Sequence, residues 1–225
     1  MAPLGYGVFA YDAAHLLGGA MLVLSFVLLY QRRVSAVVNT YAVQAWFLAA
    51  AAAWQAHVQD APHLYATAAI AALAKGVAIP LALHRIIRRL DIHRSIETAL
   101  GVFPSMVAGV LLAALAILVV LPTTPSSQAL TREDLALALS VVLIGLLSMI
   151  TRRNALTQVV GFMSLENGLI LAAVGVAGMP LLVELSVAFL VMVAFIVFGV
   201  FFFRIRERFE SLDLRHLDRL GEVPG

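Results

Sequence analysis

The stretch LLAALAILVVL, residues 111–121, carries no side chain able to hydrogen-bond or hold charge, and runs of this kind recur along the chain. At a helical rise of about 1.5 Å per residue, roughly 20 such residues cross the 30 Å or so of a bilayer's hydrocarbon. Runs of suitable length fall at 12–30, 36–57, 63–84, 98–121, 134–150, 155–178 and 180–203. In lipid each backbone amide must be satisfied within its own segment, which a continuous apolar run achieves only as a helix. A membrane β-barrel would show segments of about ten residues alternating in polarity instead. The expected fold is therefore all-α: a polytopic membrane protein with seven transmembrane helices in a single integral membrane domain, 1–225. Composition agrees, with 62% hydrophobic and 12% charged residues against about a quarter charged in a soluble domain.

Basic residues gather in cytoplasmic loops, so alternation of arginine between connections tests the seven-helix scheme. Arg32 and Arg33 follow the first run, Arg85, Arg88, Arg89 and Arg94 the third, Arg152 and Arg153 the fifth, and Arg204, Arg206, Arg208, Arg215 and Arg219 the seventh. Of the opposite connections only 122–133 carries one, Arg132. This pattern puts the N-terminus outside and the C-terminus in the cytoplasm. MAPLGYGVFAYD lacks the basic region of a secretory signal, so the first helix is expected to be retained. The connection PTTPSSQALTRED, 122–134, reads as a long outer loop with an N-cap signal at its end, a seam between four helices and three. The tail 204–225 reads as a cytoplasmic amphipathic segment, with Ile205, Phe209, Leu212 and Leu220 near one face, suited to lying on a membrane surface or against a soluble partner.

Two ionisable residues break the apolar runs near their middles. Lys75 stands ten residues before Arg85 and Glu166 twelve after Asn154, about 15 and 18 Å of rise respectively, so both lie near the midplane. A charge at that depth costs at least about 2.5–3.5 kcal/mol and normally faces a bundle interior or a hydrated path. Burial disfavours the charged form while a partner of opposite sign favours it, and a proton relay needs groups held between those limits. The plainer alternative is an ion pair that pins two helices together. Glu184 and Asp12 fall near the outer boundary; Glu184 is either solvated there or forms the outer mouth of a relay, and Asp12 reads as a carboxylate at a helix N-terminus. Asn39, Gln44, Gln55, Ser140, Ser148, Thr157, Gln158, Ser164 and Asn167 are candidates to support hydration. Gly161, Gly168, Gly175 and Gly178 would allow close helix approach or local unwinding, close packing being the favoured reading, and Pro80 predicts a kink in the third helix.

Several chemistries are set aside. There is no cysteine, hence no thiolate for an iron–sulfur cluster, and no metal-binding spacing, phosphate loop or nucleophile–base constellation, so neither a cofactor nor catalysis by the chain alone is expected. A retinal protein would carry its lysine in the last helix, not the third. His15, His57 and His63 gather toward one side and His84, His93 and His216 toward the other, which reads as interfacial histidine rather than haem ligation. The absence of an evident inverted repeat and of paired broken helices speaks against an independent small transporter.

The stretch TRRNALTQVVGFMSLENG, 151–168, resembles the Arg-Arg-Asn…Gly…Glu…Asn pattern of the small K-type subunit of respiratory complex I and of the C subunit of Mrp-type antiporters. With AKGVAIPLALHRIIRRL (74–90) and MPLLVELSVAF (179–189), the fuller resemblance is to the hydrogenase-4 component E family of formate hydrogenlyase-type, group 4 nickel–iron hydrogenase complexes. The resemblance implies a non-catalytic subunit of a bacterial or archaeal inner membrane. Its partners would be antiporter-like and quinone-module-like membrane subunits and peripheral hydrogenase-like or oxidoreductase subunits on the cytoplasmic side. It further implies that Glu166 is the membrane carboxylate of a proton path and Lys75 its basic partner, with Asn167 part of the shared motif; the complex I subunit has a second mid-membrane glutamate in its last helix, where this chain has only Glu184 near the outer end, the candidate outer mouth of the path. The chain departs from the complex I pattern in one spacing: its glutamate follows Gly161 by five positions rather than two, the nearer position being Met163.

Overall fold

The computed structural model of the chain describes residues 4–89, 100–123 and 129–175. These form six helices, with no strand among them. They are α1, Leu4–Tyr30; α2, Val34–Val58; α3, running through His63–Ile70, Ala71–Ala78 and Ile79–Arg89; α4, Val102–Thr123; α5, Ala129–Thr151; and α6, Ala155–Gly175. Each contains a stretch long and apolar enough to cross a membrane. The expected seventh helix at 180–203, with Glu184 in it, and the tail at 204–225 lie outside the described residues.

Helices α1, α2, α6 and α5 pack in a cycle, each against the next, while α3 lies against α2 and α4 against α5 and α1. Lipid tails are as apolar as leucine, so burial of greasy surface does not drive this association; close packing and interhelical hydrogen bonds do. The small residues of α2 and α5 supply the close packing. Ala49 and Ala51 join Met21, Leu48, Ala71, Ala138, Val141 and Leu171 in one buried cluster, and Ala52 and Ala56 pack with Leu64, Ala68 and Val174 in a second.

The tightest seam is between α5 and α6. A Cβ at Gly145 would sit 2.5 Å from the Leu165 nitrogen, one at Gly161 2.7 Å from the Met149 nitrogen, and one at Gly168 2.8 Å from the Val142 nitrogen. The close approach expected of Gly161 and Gly168 is thus present, and Gly145 answers them from the opposite helix. At Gly175 a Cβ would make only ordinary contact with Asp134; Gly178 is outside the described residues.

Three local expectations are corrected. Helix α1 begins at Leu4 rather than near residue 12, so Asp12 is an exposed residue two turns inside the helix, not a carboxylate at its end. The predicted loop 122–134 is shorter, because α4 continues through Pro122 to Thr123 and α5 starts at Ala129; Pro122 lacks the N–H that would pair with the Leu118 carbonyl, and the helix ends one residue later. Third, α3 bears a π-helical segment, Ala71–Ala78, closed by a bond from the Ile79 nitrogen to the Ala74 oxygen. Pro80 has no N–H and its ring crowds the carbonyl four residues back, that of Gly76. Widening the turn just ahead of the proline relieves that crowding, and such widened turns recur at functional sites. Lys75 sits inside this one.

Candidate functional site

The two charges expected near the midplane meet. Lys75 Nζ on α3 lies 2.9 Å from Glu166 Oε1 on α6, and each residue is only 4% exposed. The ammonium also donates an aligned hydrogen bond to Asn167 Oδ1 at 3.1 Å, so Glu166 Oε1 is engaged by Lys75 while Glu166 Oε2 has no hydrogen-bond donor among the described residues. The contact is thus an ion pair in which one carboxylate oxygen keeps its accepting capacity unspent.

From Asn167 the polar contacts continue across the bundle. Asn167 Nδ2 donates to Gln44 Oε1 on α2 at 3.3 Å. Gln44 Nε2 in turn donates to Ser25 Oγ on α1 at 2.8 Å and to the Met21 carbonyl at 3.4 Å, and Ser25 Oγ donates to the same carbonyl at 2.9 Å. All the bonds run in one direction, so each link turns its acceptor oxygen toward Lys75. Such aligned dipoles reinforce one another where the dielectric is low and stabilise the positive charge. Amide groups relay protons poorly, because each would have to pass through an imidic acid; Asn167 and Gln44 therefore support the ammonium rather than conduct.

Among the residues expected to support hydration, Gln44 and Asn167 belong to this ladder, whereas Asn39 is exposed on the outside of α2 and Ser140 bonds the Ala136 carbonyl in its own helix. Ser148 and Ser164 are buried with hydroxyls that lack a partner among the described residues. Neither Ser25, whose part depends on the register of α1 against α2, nor Tyr41 was marked by the sequence.

The motif TRRN does structural work at one end of the bundle. Arg152 donates to the carbonyls of Gln31 at 2.7 Å, Leu28 at 2.6 Å and Leu29 at 3.1 Å, closing the otherwise unpaired C-terminus of α1 with a positive charge, as its dipole favours. Asn154 Oδ1 accepts from the Leu156 nitrogen at 2.9 Å and so caps the start of α6. Arg152, expected as a free loop charge, is buried; Arg153 is exposed.

A protein of Mycobacterium tuberculosis (strain ATCC 25618 / H37Rv), described as uncharacterized protein Rv0085, is 31% identical to this chain over 210 residues, 91% of this chain and 93% of that protein. The chain belongs to the same family. The matched stretch takes in the positions of both Lys75 and Glu166, which stand far from either end. No family model and no solved structure matches the chain.

The opposite end of this family member carries a second polar group. The Tyr11 hydroxyl hydrogen-bonds Glu133, its ring stacks on His15 at 5.8 Å, and His15 Nδ1 lies 3.8 Å from Glu133 and 3.9 Å from Asp134. Asp134 also lines a crevice with Gln55, Gly18, Leu171 and Gly175. Nine residues of α6, about 13.5 Å of rise, separate Gly175 from Glu166.

Proposed function

We propose that the chain is a multi-pass subunit of a complex I-like or energy-converting hydrogenase-like assembly of a bacterial or archaeal inner membrane. In it Glu166 and Lys75 form one station in a lateral series of charges through which protons, or another cation, move in response to redox chemistry in partner subunits. The observation that carries this reading is the buried Lys75–Glu166 pair, with an ammonium supported from three helices and a carboxylate whose second oxygen is left free to accept. The sequence resemblance supplies the setting: antiporter-like and quinone-module-like membrane neighbours and hydrogenase-like or oxidoreductase subunits on the cytoplasmic face; the apolar runs and the alternation of arginine supply seven spans and an N-terminus outside. Glu184 would extend the series toward the outer boundary.

Mechanistically, a carboxylate near an ammonium holds its negative charge more readily than one alone, and loses that advantage when the ammonium turns to another acceptor. Asn167 already offers Lys75 such an alternative. A shift of Lys75 toward Asn167 would favour uptake of a proton by Glu166, and its return would favour release. Glu166→Gln keeps the shape and removes the titration. Ion translocation is expected to fall to background while partner subunits still co-purify, measured as ion uptake by inverted membrane vesicles together with subunit recovery. Normal translocation by the assembled variant would overturn the reading.

A second reading has the 2.9 Å contact itself in its favour: the pair would pin α3 to α6 in a passive scaffold. The C-subunit resemblance keeps a place in a Mrp-type cation/proton antiporter as a further setting for the same pair.

A further inference from the structure

Two buried oxygens near the ion pair have no partner among the described residues: Glu166 Oε2, the carboxylate oxygen that Lys75 does not hold, and the hydroxyl of Tyr41. Tyr41 is 0% exposed. Leaving a buried polar group unpaired is costly, more so when it is charged, and roughly nine in ten such groups in native proteins have a partner in protein or ordered water. Both belong to the same stretch of the bundle: Tyr41 precedes Gln44 by one turn of α2, and Gln44 bonds Asn167, the residue next to Glu166. Along α2, Tyr41 is about 4.5 Å closer than Gln44 to the end that bears Arg33.

We infer that ordered water lies between the Tyr41 hydroxyl and the Glu166 carboxylate, and that Tyr41 positions this water as the immediate proton-exchange partner of Glu166. A buried water is stable where two to four polar partners surround it, and these two oxygens meet that need. Tyr41 donates its hydroxyl hydrogen to the water oxygen, and the water donates to the carboxylate. An excess proton arriving at the water bonds to its oxygen; one of the original O–H bonds then breaks, and that hydrogen becomes the carboxyl hydrogen of Glu166. Water is regenerated and Tyr41 keeps its proton throughout. Lys75, on the α3 side, is the other charged group facing Glu166. The role in transfer rests on the function proposed above; the water itself does not.

The test uses infrared spectra of the purified full chain in lipid nanodiscs, with the bands of Glu166 assigned by Glu166→Gln. Tyr41→Phe, which removes one oxygen and keeps the ring, is expected to shift those bands. It should also abolish a water O–H band that in the unmodified chain moves on exchange into H218O. Glu166 bands unmoved by Tyr41→Phe would overturn the inference. So would an unmodified chain with no isotope-sensitive water band linked to Glu166, a result that does not depend on the variant folding. Bands that move with sodium but not with H218O would assign the space to a cation and overturn it equally. In the assembled complex Tyr41→Phe should slow translocation by roughly tenfold or more, in line with the loss of a positioned proton-transfer partner. An infrared change without slower translocation would overturn the positioning role. Normal translocation in Glu166→Gln would instead sink the proposed function and leave the water standing.

Discussion

Lys75→Met is expected to destabilise the protein by about 3–5 kcal/mol, because it strands a carboxylate in the bundle interior without its counter-charge. The loss is larger than the pair's own net contribution. Lys75 occupies a site 4% exposed, and its removal also leaves the Asn167 oxygen without its donor. Replacing both partners with apolar groups of similar size removes the stranded charge, and such double replacements of buried pairs are often close to neutral. The Lys75→Met/Glu166→Leu double variant should therefore melt nearer to the unmodified protein than Lys75→Met does. Thermal unfolding in one detergent, followed by circular dichroism, measures both. A double variant no more stable than the single one would show that the charges are not coupled as the 2.9 Å contact implies.

The second large effect is expected at the α5–α6 seam. Even the single carbon of Gly145→Ala would lie 2.5 Å from the Leu165 nitrogen, and the obstacle is backbone, which cannot rotate aside as a side chain can. The helices would have to part, at a cost of about 1–3 kcal/mol for overpacking of this kind and more for a larger residue. Gly161→Leu, aimed at the Met149 backbone, should be worse. Gly19 is the control, with nothing within 4 Å of the carbon it would gain, and Gly19→Ala should leave stability nearly unchanged. Yield of monodisperse protein and the melting temperature report the difference; equal tolerance at Gly145 and Gly19 would contradict the seam. Because α6 carries Glu166, parting these helices would also disturb its contact with Lys75.

The six described helices were legible because each is an apolar run of the required length, and crossing a bilayer leaves little freedom in how such a run folds. The meeting of Lys75 and Glu166 was legible in part. Rise per residue gives depth, so equal depth follows from sequence, but facing directions do not, and the contact depends on them. Gln44 and Asn167 stood out as polar residues in apolar helices, yet the ladder from Asn167 to Ser25 requires the registers of α1, α2 and α6 together, which no single helix encodes. The π segment was signalled only by Pro80, which is equally compatible with a simple kink. Arg152 read as a loop charge because its partners are backbone carbonyls of α1, more than a hundred residues earlier in the chain. Tyr41 did not stand out in the sequence, because only its surroundings, and not its identity, mark its hydroxyl as unpaired.

Whether the Lys75–Glu166 pair carries charge or only holds helices together is tested most directly by the isosteric double variant Lys75→Met/Glu166→Gln in the intact assembly. Ion uptake per electron transferred should be recorded in vesicles, beside the recovery of co-purifying subunits. Uptake lost with recovery unchanged is the result this account predicts. Unchanged uptake with recovery diminished would contradict it and make the pair a structural pin.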